Sequence, residues 1–249
     1  MKHQRRIILE NANNFRDLGG YPATGGRTTS WGKLFRTESL RYLSDTDWKT
    51  LEILGVKTLI DLRGENEVQD RPVNAPEKFT YKNLPFINLQ NFQTAENNGD
   101  QSMVVSLVMS YSKIYENSPK NIVRVLNEIL SGLEKGAVAF FCTGGKDRTG
   151  MTAATILTLC GVSDDDIITD YMVTEIYDAN PERGVYGKLM SEKIVTPKTP
   201  KKSKDILNSK AETMRSFLEY LHSMDLRAFL NSYGFSYEAQ NELIGKMVE

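Results

Sequence analysis

Short apolar runs alternate with longer amphipathic segments along the first two-thirds of the chain. Residues 56–63 and 138–141 are rich in β-branched and aromatic side chains, which is typical of short buried strands. Between them, residues 122–133 repeat apolar positions every three or four residues and predict a helix with one wide apolar face. Because strands and helices alternate up to Gly161, the pattern predicts an α/β core with a central, mostly parallel sheet flanked by helices.

Capping and breaking residues indicate further elements in the same part of the chain. Strands are expected at residues 7–9, 33–36 and 81–87. The last is expected at a sheet edge, because Pro85 has no backbone N–H to donate to a neighbouring strand. Helices are predicted at residues 45–54, 102–116, 119–133, 149–160 and 164–177.

Only helices are expected after Gly161. They are predicted at about residues 205–222, 226–232 and 237–248. We therefore expect residues 1–249 to form a single domain in which residues 178–249 are a helical cap on the α/β core. Residues 181–204, which carry three prolines and six lysines, are either a solvated loop or a basic segment that attracts anionic substrates or lipid headgroups.

Composition limits the classes of partner. The chain has 249 residues, is 40% hydrophobic and 25% charged, and has a formal net charge of −1, which is typical of a soluble globular protein. No nucleic-acid partner is expected, so any anion recognition must be local. No apolar run approaches the roughly 18 residues of a membrane span or forms the core of a secretory signal. We expect a cytoplasmic protein, and the sequence makes no prediction of its oligomeric state.

One strand, loop and helix combine nucleophilic and anion-binding chemistry. Cys142 follows the strand of residues 138–141, and five residues separate it from Arg148, where the next helix begins. Such a loop directs backbone N–H groups and the helix dipole at one point, where a phosphate would fit. Gly144 and Gly145 allow the turn, and the guanidinium of Arg148 can bind a phosphate through two parallel hydrogen bonds. The same field favours the thiolate of Cys142 over its thiol.

Three motifs resemble those of one protein family. The run Cys-Thr-Gly-Gly-Lys-Asp-Arg-Thr-Gly at residues 142–150 resembles the phosphate loop of cysteine-based protein tyrosine phosphatases. It is most similar to the bacterial and fungal branch with a Lys-Asp pair in this loop, several members of which also hydrolyse phosphoinositides. Residues 13–21 and 54–63 resemble the N-terminal motif and the Asp-Leu-Arg strand of the same branch. The resemblance implies a protein tyrosine phosphatase-like, dual-specificity-like fold.

The resemblance also implies roles for individual residues. Cys142 would attack phosphorus and form a cysteinyl-phosphate, while Arg148 and the loop amides stabilise the transition state. The phosphate-binding positions would be Thr143, Gly144, Gly145, Lys146 and Thr149, and the Thr149 hydroxyl could also donate to the thiolate. No cofactor and no metal are implied. The substrate would be a phosphotyrosine protein, and the same chemistry would suit phosphoserine or phosphothreonine proteins or a phosphoinositide, the last with transient contact to a membrane surface.

Two carboxylates compete for the role of general acid. Asp147 lies in the loop itself, whereas Asp61 lies near the end of the 56–63 strand, at the sheet edge where parallel strands bring ligand-binding residues together. Alternatively, Asp147 only fixes the loop through Lys146 or Arg63, and Asp61 only caps its strand. Lys146 either favours a multiply charged substrate or balances Asp147.

Some alternatives remain open from the sequence. The family usually has a histidine directly before the cysteine, where this chain has Phe141, and this motivates a catalytically silent phosphate-binding module. A rhodanese-like sulfurtransferase also uses a cysteine between a strand and a helix, although its loop is typically shorter. A phosphorylated sugar or nucleotide could replace the protein substrate. In the N-terminal motif, Arg16 and Asp17 either form a buried ion pair or place Arg16 near the substrate.

Overall fold

A five-stranded sheet forms the centre of the computed structural model, which describes residues 3–87, 110–178 and 210–249. Seven strands are described: β1 (Arg16–Asp17), β2 (Pro22–Ala23), β3 (Arg27–Thr28), β4 (Leu34–Thr37), β5 (Val56–Asp61), β6 (Thr80–Asn83) and β7 (Ala137–Phe141). The five strands of the main sheet lie in the order β1, β4, β7, β5, β6, and β2 pairs with β3 in a separate ribbon. The strand that ends beside Cys142 is therefore the middle strand.

The pairing directions confirm the predicted sheet. Strands β4, β7, β5 and β6 pair in parallel, and only β1 runs antiparallel to its neighbour β4. Strand β6 lies at the edge, as Pro85 predicted, although it already ends at Asn83. The strand expected at residues 7–9 is wrong, because the only bridge there is between the preceding Arg6 and Arg16, and Ile7 donates one isolated backbone hydrogen bond to Phe15, within the described residues.

Helices cover the sheet. They are α1 (Asp45–Ile53), α2 (Glu65–Asp70), α3 (Tyr111–Asn117), α4 (Pro119–Leu133), α5 (Asp147–Leu159), α6 (Asp164–Asp178), α7 (Ala211–Ser223), α8 (Leu226–Ser232) and α9 (Tyr237–Met247). The first parts of the helices expected at residues 102–116 and 205–222 lie outside the described residues. Helix α5 begins two residues earlier than expected, so that Asp147 and Arg148 are its first two residues.

Side chains of β7 alternate between two apolar clusters on opposite faces of the sheet. Val138, Phe140 and Cys142 belong to the larger cluster, which also contains residues from helices α3 to α9. Phe141 belongs to the smaller cluster, which includes Trp48 and Leu51 of helix α1. The period-two geometry of a strand explains the alternation. The cysteine and the residue before it therefore face different environments.

The C-terminal helices pack on the larger cluster. Phe217 of α7 makes edge contacts with the rings of Tyr111 and Tyr115 in α3, with centroid distances of 5.9 and 5.4 Å. The division of the chain into a core and a cap at residues 178–249 stays a prediction. Within the described ranges, no helix is long and apolar enough to cross a membrane.

Candidate active site

The loop of residues 142–148 joins the middle strand to the start of helix α5, and Gly145 gives it its sharp turn. Gly145 has a φ of +67°, and a Cβ there would lie 2.4 Å from the carbonyl oxygen of Thr37. A residue with a side chain is disfavoured on both counts. Gly144 differs, because a Cβ built on it meets nothing within 4 Å. Of the two glycines expected to allow the turn, only Gly145 has a conformation and a close backbone contact that require glycine.

Three carbonyl oxygens of the 142–148 loop accept hydrogen bonds from protein donors. The backbone N–H of Ser39 donates to Thr143 (3.0 Å), the side-chain amide of Asn14 to Gly144 (3.2 Å), and the guanidinium of Arg36 to Gly145 (2.7 Å). In a trans peptide the N–H points away from the carbonyl of the same unit. The N–H groups that follow these carbonyls therefore point to the opposite side of the loop, as an anion cradle requires.

A buried charge cluster holds Arg36 in place. The carboxylate of Asp170 on helix α6 binds Arg36 at 2.5 Å and Arg16 at 2.8 Å, and all three side chains are almost fully buried. Burial opposes the ionisation of Asp170, but the two guanidinium groups outweigh it and hold the pKa of Asp170 well below its ordinary value. The loop is thus connected to α6 through Arg36.

Arg16 does not form the ion pair with Asp17 that was one of the expectations. Its partners are Asp170, Asn14 and Thr174. Asp17 instead accepts backbone hydrogen bonds from Gly19 (2.8 Å) and Gly32 (2.7 Å). Arg16 therefore supports the loop from behind, through the charge cluster.

Arg148 is held by Glu67, which was not predicted as a site residue. Both Glu67 oxygens bind the guanidinium, one of them at 3.0 Å, and the pair is buried. Burial lowers the pKa of Arg148, but the carboxylate of Glu67 outweighs this and raises it above its ordinary value. The Thr143 hydroxyl also donates to Glu67, at 2.6 Å. Glu67 therefore orients an arginine and a threonine of the loop together.

Cys142 lies at the end of β7 and is 3% exposed. Its charge is close enough to Arg148 to contribute to the raised pKa of that guanidinium. The Thr149 hydroxyl is buried and has no hydrogen-bond partner among the residues that the structure describes. The second cysteine, Cys160, follows helix α5, where burial raises its pKa to about 12, and it stays a thiol at neutral pH.

Asp147 sits at the first position of α5 with one oxygen bound. The hydroxyl of Tyr111 donates to Oδ1, and the ammonium of Lys146 lies 3.6 Å from the same oxygen. The Asp147 side chain is 19% exposed, so it can reach a ligand. Of the two ion-pair partners expected for Asp147, the structure brings Lys146 near it, whereas Arg63 pairs with Asp61.

Asp61 is fully buried and its carboxylate is occupied from within the protein. Arg63 binds both oxygens through Nε and Nη2, and the Tyr81 hydroxyl donates to Oδ2 at 2.7 Å. The backbone N–H of Arg63 adds a fourth type of contact, at 3.0 Å. This set of donors matches a carboxylate that fixes the end of a strand.

Phe141 has a structural environment of its own. It is fully buried in the smaller apolar cluster, and the guanidinium carbon of Arg63 lies 5.9 Å from its ring centroid. Because Phe141 and Cys142 face opposite sides of the sheet, the aromatic ring packs against the layer of helix α1. Its presence does not fill the space on the side of the sheet where Cys142 lies.

Sequence reasoning missed Glu67, Asp170 and Tyr111. A signal was present for Asp170, because it lies on the apolar face of its helix beside Ile167 and Tyr171, where a charged residue requires a buried partner. Glu67 lies four residues after Arg63, in the short helix that follows the Asp-Leu-Arg strand. Tyr111 begins a helix whose preceding segment lies outside the described residues, and its sequence offers no comparable signal.

Comparisons with known proteins agree on one family. A family model described as "Tyrosine phosphatase family" matches residues 7–249. Triple specificity protein phosphatase PtpB of Mycobacterium tuberculosis is 26% identical over 276 aligned positions, which cover 96% of this chain and 98% of that protein. A tyrosine-protein phosphatase of Nostoc commune is 32% identical over 148 residues, 57% of this chain.

Coverage of the relatives is uneven. The match spans only 48% of the Nostoc protein and 62% of a Cupriavidus necator relative that is 25% identical. A crystal structure of TpbA from P. aeruginosa in complex with pTyr has a TM-score of 0.42 and 12% identity, and the match covers 83% of this chain and 89% of that one. Because the family model matches nearly the whole length, this chain belongs to the tyrosine phosphatase family.

Proposed function

We propose that the protein hydrolyses phosphomonoesters, phosphotyrosine first, through a cysteinyl-phosphate on Cys142. The observation that carries this proposal is the 142–148 loop itself. Three of its carbonyls are bound on one side, which leaves the following N–H groups directed to the other, and Glu67 holds the guanidinium of Arg148 at the end of the same loop. This arrangement suits a phosphoryl group, whose transition-state charge is spread over three equatorial oxygens.

The first step transfers the phosphoryl group to sulfur. The thiolate of Cys142 forms a bond to phosphorus as the bond from phosphorus to the ester oxygen breaks. The guanidinium of Arg148 and the amides of the 142–148 loop stabilise the equatorial oxygens. Asp147 gives its proton to the departing oxygen, so that the alcohol or phenol leaves neutral.

The second step returns the enzyme to its starting state. A water molecule attacks phosphorus, the sulfur–phosphorus bond breaks, and the electron pair returns to Cys142 as thiolate. Asp147, now a carboxylate, accepts a proton from the attacking water. The Thr149 hydroxyl, buried and unpartnered within the described part of the chain, is suited to donate to that thiolate.

The geometry favours Asp147 over Asp61 as the acid. A general acid must carry a proton and present it to the substrate. Asp61 is fully buried and bound by Arg63 and Tyr81. If its carboxylate moved to the substrate, the buried guanidinium of Arg63 would lose its counter-charge, which is costly. Asp147 is partly exposed on the same turn as the nucleophile, which gives it access.

The substrate range that we propose extends beyond phosphotyrosine. Lys146 adds a second cationic residue to the 142–148 loop, which suits a multiply charged ligand such as a phosphoinositide headgroup, reached by transient contact with a membrane surface. The relative PtpB is named a triple specificity phosphatase, which supports testing phosphoserine and phosphothreonine as well. We propose a cytoplasmic location, where reducing conditions keep the sulfur of Cys142 from being oxidised.

One panel tests the proposal. Wild type and Cys142→Ser would receive phosphotyrosine peptide, phosphoserine peptide and short-chain phosphoinositides, with a chelator present. We expect wild type to release phosphate from the phosphotyrosine peptide. The Cys142→Ser variant should release it at least about a thousandfold more slowly. Acid quenching during turnover should trap phosphate on Cys142. Phosphate binding without release would indicate a silent binding module, and sulfur transfer from thiosulfate would indicate a sulfurtransferase; either result overturns the proposal.

A further inference from the structure

Two buried tyrosines from different helices meet at Asp147. Tyr111 is the first residue of α3 and Tyr171 lies in the middle of α6; they are 5% and 1% exposed. The hydroxyl of Tyr111 donates to Asp147 Oδ1 and lies 2.7 Å from the hydroxyl of Tyr171. The two tyrosines and the carboxylate thus form one hydrogen-bonded chain.

The direction of the protons in this chain follows from counting donors. A phenol has one proton to donate. If Tyr111 gives its proton to Asp147, only Tyr171 can supply the hydrogen bond between the two hydroxyls. Burial, together with the nearby carboxylate of Asp147, raises the pKa of both tyrosines, so both remain protonated at neutral pH.

This series of hydrogen bonds gives the two carboxylate oxygens of Asp147 different partners. Oδ1 accepts from Tyr111 and lies 3.6 Å from Lys146. Oδ2 has no hydrogen-bond partner among residues 3–87, 110–178 and 210–249. Because a protonated oxygen is the weaker acceptor, the hydrogen bond from Tyr111 to Oδ1 favours Oδ2 as the atom that carries the proton of the acid.

The ring of Tyr111 is held on two sides. It contacts Tyr171 edge-on at 6.2 Å and Phe217 of helix α7 edge-on at 5.9 Å, measured between centroids. With the ring held in this way, the hydroxyl of Tyr111 points toward the start of α5. Helix α7 is thereby connected to Asp147 through Phe217 and Tyr111.

We propose that Tyr111 is a positioning residue for the general acid, and that it selects Oδ2 of Asp147 as the atom that gives its proton to the leaving group. Tyr171 fixes the direction of the Tyr111 proton. The inference rests on the proposed function, because Asp147 acts as an acid only if an ester is cleaved at this site.

The leaving group provides the test. An activated ester such as 2,4-dinitrophenyl phosphate needs no proton from the enzyme, whereas phenyl phosphate does. We expect Tyr111→Phe to lower kcat/KM for phenyl phosphate by about tenfold or more, and by less than about threefold for the dinitrophenyl ester, as for a weakened general acid. Tyr171→Phe should show the same selectivity with a smaller loss.

Two further comparisons separate positioning from packing. Tyr115→Phe is the matched control, because Tyr115 is a buried tyrosine of the same helix whose hydroxyl contacts Thr155 at 3.2 Å instead. It should leave both esters unaffected. In the Asp147→Asn background, Tyr111→Phe should cause no additional loss for phenyl phosphate, since the two residues act as one unit.

Each result is decisive. Equal losses of Tyr111→Phe on both esters, or full additivity with Asp147→Asn, would show a merely structural role and overturn the inference while leaving the proposed function standing. The proposed function fails separately, if wild type does not cleave even the dinitrophenyl ester in a manner that depends on Cys142.

Discussion

Glu67 and Arg148 form a buried, two-point ion pair although 81 positions separate them in the chain. Glu67 lies in the short helix after β5, and Arg148 lies in the first turn of α5. Neither charge can be hydrated where it is, so each depends on the other. The pair also fixes Thr143, and through it the start of the 142–148 loop.

Glu67→Gln should therefore destabilise the protein as well as weaken phosphate binding. Breaking a buried ion pair by removing one charge costs about 3–5 kcal/mol, because the remaining charge is left uncompensated. Urea unfolding would measure the change in the free energy of unfolding. Glu65→Gln is the matched control, since Glu65 is exposed in the same helix, and it should change the free energy by less than about 0.5 kcal/mol.

Substitution by alanine should destabilise the protein at Gly145 and leave its stability nearly unchanged at Gly144. Gly145→Ala combines a positive φ with a Cβ 2.4 Å from a backbone oxygen, so we expect a loss of about 1–3 kcal/mol. The Cβ added by Gly144→Ala lies within 4 Å of no atom of the described residues beyond its own chain neighbours. The free energy of unfolding of this variant should be within about 0.5 kcal/mol of the wild-type value. Thermal unfolding compares them directly. Equal stabilities of the two variants would contradict the placement of Gly145 against Thr37.

Asp170 should make stability depend on pH in the acid range. Its folded pKa lies well below the ordinary 3.8 because of Arg16 and Arg36. A group with a depressed pKa stabilises the folded state above the unfolded pKa and loses that contribution as pH falls through the folded value. Wild type should therefore lose free energy of unfolding below about pH 4 more steeply than Asp170→Asn.

The same variant has a direct cost at neutral pH. Asp170→Asn leaves two buried guanidinium groups without their shared carboxylate, and a loss of about 3–5 kcal/mol follows. Asp165→Asn is a suitable control, because Asp165 is exposed in the same helix. A neutral-pH stability unchanged by Asp170→Asn would contradict the cluster.

Asp61 and Asp147 should separate stability from catalysis. Asp61→Asn removes the charge that holds Arg63, so we expect it mainly to lower the free energy of unfolding. Asp147→Asn should fold normally and lose about 10²–10⁴ in kcat/KM for phenyl phosphate. The measurement pairs urea unfolding with turnover for both variants. A stable Asp61→Asn that lacks activity would reverse the assignment of the acid.

The local parts of the site could be predicted from the sequence, and the long-range parts could not. One strand–loop–helix unit contains Cys142, Gly145, Asp147 and Arg148. Their short separation in the sequence therefore places them close together in space. Glu67 and Tyr111 reach this unit from other helices, and their contacts depend on how the helices pack. Alternation along β7 already implied that Phe141 and Cys142 face opposite sides.

The short separation between Cys142 and Asp147 has a consequence for timing. In a phosphatase whose acid arrives on a mobile loop, each turnover waits for that loop to swing in. Here the proposed nucleophile and acid are five positions apart on one turn that is fastened by Ser39, Asn14 and Arg36. With Asp147 as the proposed acid, the proton donor is in place when the substrate docks, and the first chemical step does not wait for another segment to approach.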